Sequence, residues 1–235
     1  MGKHEYAGGE LEAFSQASEW KDYFGAILRP YLGKRVLEVG AGIGSTTASL
    51  CHAGIGSWLC LDPDPSHVRI LESKIGAGAL PHACRALCGT LEDLEPGRVF
   101  DTILYIDVLE HIADDLKEIV RAAEHLDAGG CLAVLSPAHP CLTSDFDRAV
   151  GHHRRYTKAS LAALRPEGFH LERMSYLDSA GVLLSLANRL LLNQSRPTPG
   201  QIMFWDRRVV PVSRRLDPLL GFSVGKSILA VWRRA

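Results

Sequence analysis

The run Val36-Leu37-Glu38-Val39-Gly40-Ala41-Gly42-Ile43-Gly44-Ser45-Thr46 narrows the fold of this 235-residue chain more than any other feature. A short apolar strand runs straight into glycines at every second position, and a helix opens at Ser45. Glycine lets a backbone bend through left-handed conformations and come close to a ligand. A second apolar run, Ser57–Leu61, ends against Asp62. A carboxylate there suits a ribose, because it can accept from both hydroxyls. Strand, glycine turn, helix and acidic strand tip together are how an open α/β sheet holds an adenosine-containing molecule. The spacing is GxGxG, whereas a dinucleotide fingerprint is GxGxxG, and Ser45 stands where its third glycine would be. A phosphate-gripping loop would need Gly-Lys-Ser/Thr further on, and the chain has none. An adenosine compound without a phosphate is therefore expected.

The rest of the chain repeats this unit. Strands are expected over Arg35–Val39, Ser57–Leu61, Ala83–Cys88, Asp101–Ile106, Cys131–Leu135, His170–Leu177 and Ser227–Trp232. Helices are expected over 10–32, Ser45–Ala53, His67–Ile75, Asp114–Leu126, Lys158–Leu164 and Gly181–Leu192. The run up to Ile106 is continuously apolar, as a strand covered on both faces requires. Alternating strands and helices predict an α/β, doubly wound parallel sheet. A hydrophobic content of 46% can fill one large core, so 1–235 reads as one domain. It carries a helical cap at about 1–33 and a helical insertion at about 179–222 between the last two strands. The six cysteines include no CxxC pair and read as reduced thiols. The first ten residues hold no apolar run, and Ala180–Leu192 is broken by Ser185, Asn188 and Arg189. The chain is therefore expected to be cytoplasmic, with a membrane-peripheral location as the variant of that reading.

Further segments extend the pattern. Glu38 to Gly44 followed by Asp62 resembles the class I S-adenosylmethionine (SAM)-dependent methyltransferases. Gly89-Thr90-Leu91-Glu92-Asp93 is similar to the family segment that lies along the adenine, and Tyr105 to His111 to the segment that faces the methionine end. The segments FDRAVGHHRRYT, SYLDSAGVLLSLANRLLL and GKSILAVW resemble a bacterial subgroup of small methyltransferases, in which the position of His153 is usually Tyr. The resemblance implies a Rossmann-like, seven-stranded sheet of order 3-2-1-4-5-7-6 with the seventh strand antiparallel. It implies SAM as cofactor and S-adenosylhomocysteine as product. It implies Glu38, Gly40, Gly42, Gly44, Asp62, Thr90, Leu91 and Asp107 as cofactor-binding residues, with Trp20 and Tyr23 closing over them. Many members carry Asp at the position of Thr90 for the adenine amino group; with Thr, that contact passes to a backbone group or to Glu92.

Methyl transfer from a sulfonium needs mainly alignment, and a base only where the acceptor is poorly acidic. His111, His139, His152 and His153 follow strands four and five, where such sheets bind ligands. His152, His153 and His111 are the candidate catalytic bases. Arg154, Arg155 and Tyr156 are the candidate substrate-binding residues, because arginine forks suit carboxylate or phosphate. The competing reading ties both arginines to Asp145 and Asp147. Asp107, Glu110 and His111 are similar to a DxxEH or ExxEH cluster that holds a divalent metal in some quinone O-methyltransferases. The preferred reading is a helix cap beside the cofactor, with no metal assigned. Residues 189–235 carry nine Lys/Arg against two Asp/Glu, and Leu183, Leu184, Leu186 and Leu190 to Leu192 make an apolar face. These features read as a lid over the pocket or as a surface toward a lipid. Nucleic acid is not expected, since net charge is −1. The expected function is methyl transfer, at oxygen, to a small organic or lipid-linked acceptor. The alternative is a SAM-binding, non-catalytic partner or regulatory protein of the same fold.

Overall fold

A computed structural model describes residue 12, residues 14–187 and residues 197–235. Its seven strands are β1 (Arg35–Val39), β2 (Ser57–Asp62), β3 (Cys84–Cys88), β4 (Phe100–Ile106), β5 (Leu126–Pro137), β6 (Phe169–Leu177) and β7 (Ser227–Arg234). They form one sheet in the order 3-2-1-4-5-7-6. β1 pairs in parallel with β2 and β4, while β7 runs antiparallel to both β5 and β6. The order reverses between β1 and β4, which opens a crevice at their carboxyl ends.

Period-two alternation sends neighbouring strand residues into two separate cores. Val36, Trp58, Leu104, Leu135 and Leu229 join one face with Trp20, Phe24 and Leu28 of helix α1 (Ser18–Leu28). Leu37, Leu59, Ile103, Val134 and Ile228 join the other, against Ile119 and Ala122 of the helix Asp115–Glu124 and Leu161 of Lys158–Ala162. Both faces of the central strands are therefore apolar, which is why they read as unbroken hydrophobic runs.

Most elements match their expected limits within a few residues. β5 begins earlier than expected because Leu126 pairs with Phe100 across a register shift. The N-terminal helix starts as a regular element only at Ser18, and residues 10, 11 and 13 lie outside the described residues. Between β6 and β7 run helices Ser179–Ala187 and Pro199–Phe204, one π-helical turn Trp205–Val209, and helix Val210–Leu219. Only the first of these carried a clear pattern. The part of the expected helix beyond Ala187, with Asn188, Arg189 and Leu190 to Leu192, lies outside the described residues, as does Arg196. No helix among the described residues is long and apolar enough to cross a membrane.

The glycine turn is fixed from both ends. The amides of Gly40 and Ala41 both donate to the Leu61 carbonyl, at 2.7 and 3.1 Å. Gly40 has φ +67°, and a Cβ there would lie 2.5 Å from a Val108 methyl. Gly40→Ala should therefore lower unfolding free energy by about 1–3 kcal/mol in a urea titration. Adding Val108→Ala should recover part of that loss by removing both crowding methyls, the remainder being backbone strain.

Candidate active site

A cavity of about 1800 Å³ occupies the crevice. Gly40, Gly42, Asp62 and Thr90 line one side, Asp107, Glu110 and His111 the floor, and Phe146, His152 and Arg155 the far side. Trp20, Lys21, Trp205 and Lys226 contribute the roof.

Asp62 sits at the tip of β2 and is 5% exposed. Its Oδ2 accepts the Gly42 amide at 2.7 Å, and its Oδ1 accepts the Asp64 amide at 2.9 Å and faces His67 Nδ1 at 3.1 Å. A carboxylate offers about four acceptor positions, so these contacts leave about one for a ligand hydroxyl. The same bonds lock the glycine turn to the strand tip.

Glu38, expected to bind cofactor, points away from the cavity. Its Oε2 accepts from Thr47 Oγ1 at 2.5 Å and from Trp58 Nε1 at 2.8 Å. Burial pushes its carboxyl up to about 7. It acts as a pin between β1, β2 and the helix Ser45–Leu50. Leu91 is likewise buried in the core, at 2% exposure. Gly44 has φ +78°, and a Cβ there would meet Leu71 at 2.7 Å, so this glycine serves helix packing. Thr90 lines the cavity and caps the short helical turn after β3. Glu92 pairs with Arg121 at 2.6 Å, which turns it away from an adenine role. Trp20 lines the cavity, whereas Tyr23 donates to Asp217 at 2.6 Å.

The end of β4 places three ionisable side chains together. Asp107 takes a left-handed φ of 55°. It opens into the cavity but lies deep in it, and desolvation raises its carboxyl to about 6. Glu110 is fully buried, and among the described residues neither carboxylate oxygen makes a full hydrogen bond, the Ser136 side chain being the neighbouring donor. Desolvation, then the nearby Asp107 charge, raise it well above the usual carboxylate range. Burial lowers His111 to about 4, so it is neutral at physiological pH. Its ring stands edge-on to His152, with centroids 4.6 Å apart.

The loop after β5 is organised by Asp147, which was considered in the sequence only as an anchor for arginine. A capping box, Ser144 to Asp147, starts the helix Asp145–Ala149. Asp147 is 1% exposed. It accepts from the Ser144 amide and hydroxyl, from Arg155 Nε at 2.8 Å and Nη2 at 3.0 Å, and faces His152 Nδ1 at 2.9 Å. These donors outweigh its desolvation and hold its carboxyl well below the usual range. With Nδ1 so engaged, His152 turns Nε2 toward Glu110, 3.9 Å away. Glu110, His111 and His152 each offer a ligand atom, all within 4.8 Å of one another, and together could hold a divalent cation.

The expected arginine clamp is not assembled. Arg155 is bound to Asp147. Arg154 leaves the cavity for Asp115 and the Ala113 carbonyl, both at 2.5 Å. Tyr156 is 2% exposed and donates to Asp115 at 2.8 Å. His153 sends its amide to the Glu110 carbonyl at 2.8 Å and does not line the cavity. His139 stacks on Tyr176 at 4.5 Å, also away from it. Cationic residues given no role from the sequence do line it, Lys21 and Lys226 among them. Lys21 donates to the Phe14, Ser15 and Ala17 carbonyls. Lys226 lies 3.7 Å over the Trp205 ring and 3.5 Å from Asp178. Lys21 belongs to no quoted motif, and Lys226 lies in the quoted segment GKSILAVW but was given no role there, because each is brought to the cavity by an element distant in sequence.

Residues 37–132 match a family model described as a methyltransferase domain. Ubiquinone biosynthesis O-methyltransferase of Azorhizobium caulinodans is 32% identical over 108 residues, covering 46% of this chain and 42% of that protein. The protein of the same name from Rhizobium etli is 33% identical over 107 residues, covering 45% and 42%. The chain thus spans less than half the length of these curated relatives. Among solved structures, an S-adenosylmethionine-dependent methyltransferase from Clostridium acetobutylicum has a TM-score of 0.58 at 12% identity, covering 94% of this chain and 92% of that one. Mitomycin 7-O-methyltransferase MmcR has a TM-score of 0.61 at 16% identity, covering 99% and 59%. The cyclase SpnF has a TM-score of 0.61 at 17% identity, covering 91% and 80%. At such identities the likeness concerns fold alone, and the fold carries more than one chemistry.

The Glu38 pin makes stability depend on pH. Its folded value of about 7 lies above the ordinary 4.5. Its contribution is complete below the unfolded value and is lost as pH rises through about 7. Glu38→Gln keeps an oxygen for Thr47 and Trp58 but cannot ionise. The fall in unfolding free energy between pH 5 and pH 8 should therefore shrink by about 1–3 kcal/mol in parallel urea titrations, His111 being common to both proteins.

Proposed function

We propose that this chain, in which residues 37–132 form a methyltransferase domain on the class I fold, transfers a methyl group from SAM to an oxygen of a small organic or lipid-linked acceptor. The observation that carries the reading is one cavity that joins the glycine turn and Asp62 to Asp107 and to the His152–Asp147 pair. The fit for SAM rests on this chain's own groups. Asp62 keeps about one acceptor position for a ribose hydroxyl. Asp107 is a carboxyl with no side-chain hydrogen bond among the described residues, set deep in the cavity where the positive methionine end would lie. Bound SAM supplies an activated methyl on a sulfonium. Alignment of acceptor oxygen, methyl and sulfur then contributes roughly 7–11 kcal/mol in favourable cases.

His152 is the base in this reading. Asp147 holds its Nδ1 proton and leaves Nε2 to take the acceptor's proton as the oxygen attacks. Asp147 is a positioning residue, and Arg155 keeps it ionised. His111, neutral and edge-on, walls the far side of the imidazole. The apolar side chains of Phe14, Phe146, Leu142 and Ile202 around the cavity favour an acceptor with a hydrophobic body, in keeping with the quinone named for the curated relatives. A lipid-linked acceptor brings with it a peripheral membrane contact for the enzyme.

The orphaned oxygens of Glu110 support a second reading of the same cluster. Glu110, His111 and His152 would hold a divalent cation, with Asp147 orienting His152 from behind as carboxylates do for ligating histidines. The cation would polarise the acceptor oxygen.

The test is S-adenosylhomocysteine formation with a panel of catechols and hydroquinones of increasing tail length. No turnover despite tight SAM binding would replace the enzyme by the non-catalytic reading. Asp62→Ala should weaken SAM binding about 10–100-fold by calorimetry, the loss of one charge-assisted hydrogen bond. His152→Ala should leave that affinity nearly unchanged and lower kcat about 10²–10⁴-fold. Dialysis against EDTA separates the two readings: unchanged kcat supports the base alone, and loss restored by Mg²⁺, Mn²⁺ or Zn²⁺ supports the cation site.

A further inference from the structure

The segment Pro199–Leu219 packs Ile202, Trp205 and Val210 into the core, yet it buries its acids and leaves large apolar side chains outside. Its buried positions include Asp206, Ser213 and Asp217, all at 0% exposure. Its exposed positions include Phe204, Val212, Leu216 and Leu219, the last 82% exposed. At spacings of three and four, Phe204, Arg208, Val212, Arg215 and Leu219 fall on one outward stripe, and Arg207 and Arg214 are exposed beside it. None of these four arginines has an ion pair or hydrogen bond among the described residues. Both acids of the segment are buried, so its outward surface carries positive charge only.

A helix that hides its carboxylates and displays leucines between unpaired arginines is not built for water alone. We propose that this face docks on an anionic lipid surface. Guanidinium groups would meet headgroup phosphates while the apolar side chains enter the boundary between headgroups and tails. Charge complementarity selects an anionic partner, and the protruding aliphatic side chains select a lipid over a nucleic acid, which would call for interleaved aromatic stacking. The neighbouring helix Ser179–Ala187 packs against Val210–Leu219 and adds Leu183, at 70% exposure. Leu184 and Phe204 are exposed and also line the catalytic cavity, so its mouth opens beside the docking face. An acceptor dissolved in the bilayer would enter from there. This deepens the lipid-linked reading and rests on it for the origin of the acceptor, but the docking itself needs no turnover to be seen.

The experiment is co-sedimentation of the full chain with vesicles of phosphatidylcholine alone, or of equal parts phosphatidylcholine and phosphatidylglycerol. The expected result is binding to the anionic vesicles only, weakened by added salt. Arg208→Gln with Arg215→Gln should reduce it about tenfold or more. Leu216→Ser with Leu219→Ser should reduce it comparably, and both variants should keep wild-type SAM affinity, which shows that they fold. Absence of binding to anionic vesicles overturns the proposal, as does binding that both variants retain. Binding of poly-uridine RNA in place of vesicles, lost with the arginines and kept without the leucines, overturns it in favour of a nucleic-acid surface. SAM turnover on a soluble catechol, measured in the same proteins, reports separately on the methyl-transfer reading.

Discussion

Asp178, Asp206 and Asp217, none of them exposed, fasten the roof of the cavity to the sheet. Each solves the problem of a buried carboxylate by accepting donors from a distant segment. Asp206 takes the Glu19 and Trp20 amides at the start of α1, where the helix has no side-chain cap of its own. Asp217 takes the amides of Asp178 and Ser179 together with the Tyr23 hydroxyl. Asp178 takes Trp205 Nε1, Ser213 Oγ and the Gly181 amide, with Lys226 nearby. Unpaired, any one of them would be costly; satisfied, they specify one arrangement of helix, insertion and strand end. Trp20, Trp205 and Lys226 face the cavity because these bonds put them there.

The same device recurs at the site. Asp62 ties the glycine turn to β2, Glu38 ties β1 to β2 and the following helix, and Asp147 gathers Ser144, His152 and Arg155. The contrast with Glu110 is chemical. It is as deeply buried as any of these carboxylates, yet among the described residues its oxygens make no full hydrogen bond and have only the Ser136 side chain and its own amide as nearby donors. A group that the fold leaves unsatisfied beside two imidazoles is where a ligand proton or a cation would be felt most strongly.

Much of the sheet was legible in the sequence, because the central strands are buried on both faces and read as continuous apolar runs bounded by glycine or acid. The register-shifted start of β5 was not, since Leu126–Gly130 lacks that pattern and pairs only because β4 lies alongside. The helices after Pro199 were hidden for another reason: their buried face mixes Ile202, Trp205 and Val210 with Asp206, Ser213 and Asp217, and their outward face mixes arginines with Phe204, Val212, Leu216 and Leu219, which blurs the usual periodicity signal. At the site, Asp62, His111 and His152, read from their places at or after strand ends, and Asp107, read from the family resemblance, all line the cavity. Glu38 and Leu91, named from the family resemblance, and Arg154 and Tyr156, named from their loop, face elsewhere, because position along the chain does not set the direction of a side chain.

The sequence by itself determined the α/β architecture and the glycine turn, because strand periodicity and left-handed glycine positions are local properties of the backbone. It also narrowed the proposed base to a few histidines. Only the tertiary structure decided which histidine is oriented, since that depends on Asp147 being held by Arg155 across the loop. It alone decided that the arginines are anchors and that lysines from the two ends of the chain enter the cavity. These are contacts between segments far apart in sequence, fixed by the pairing of buried charges rather than by any pattern along the chain.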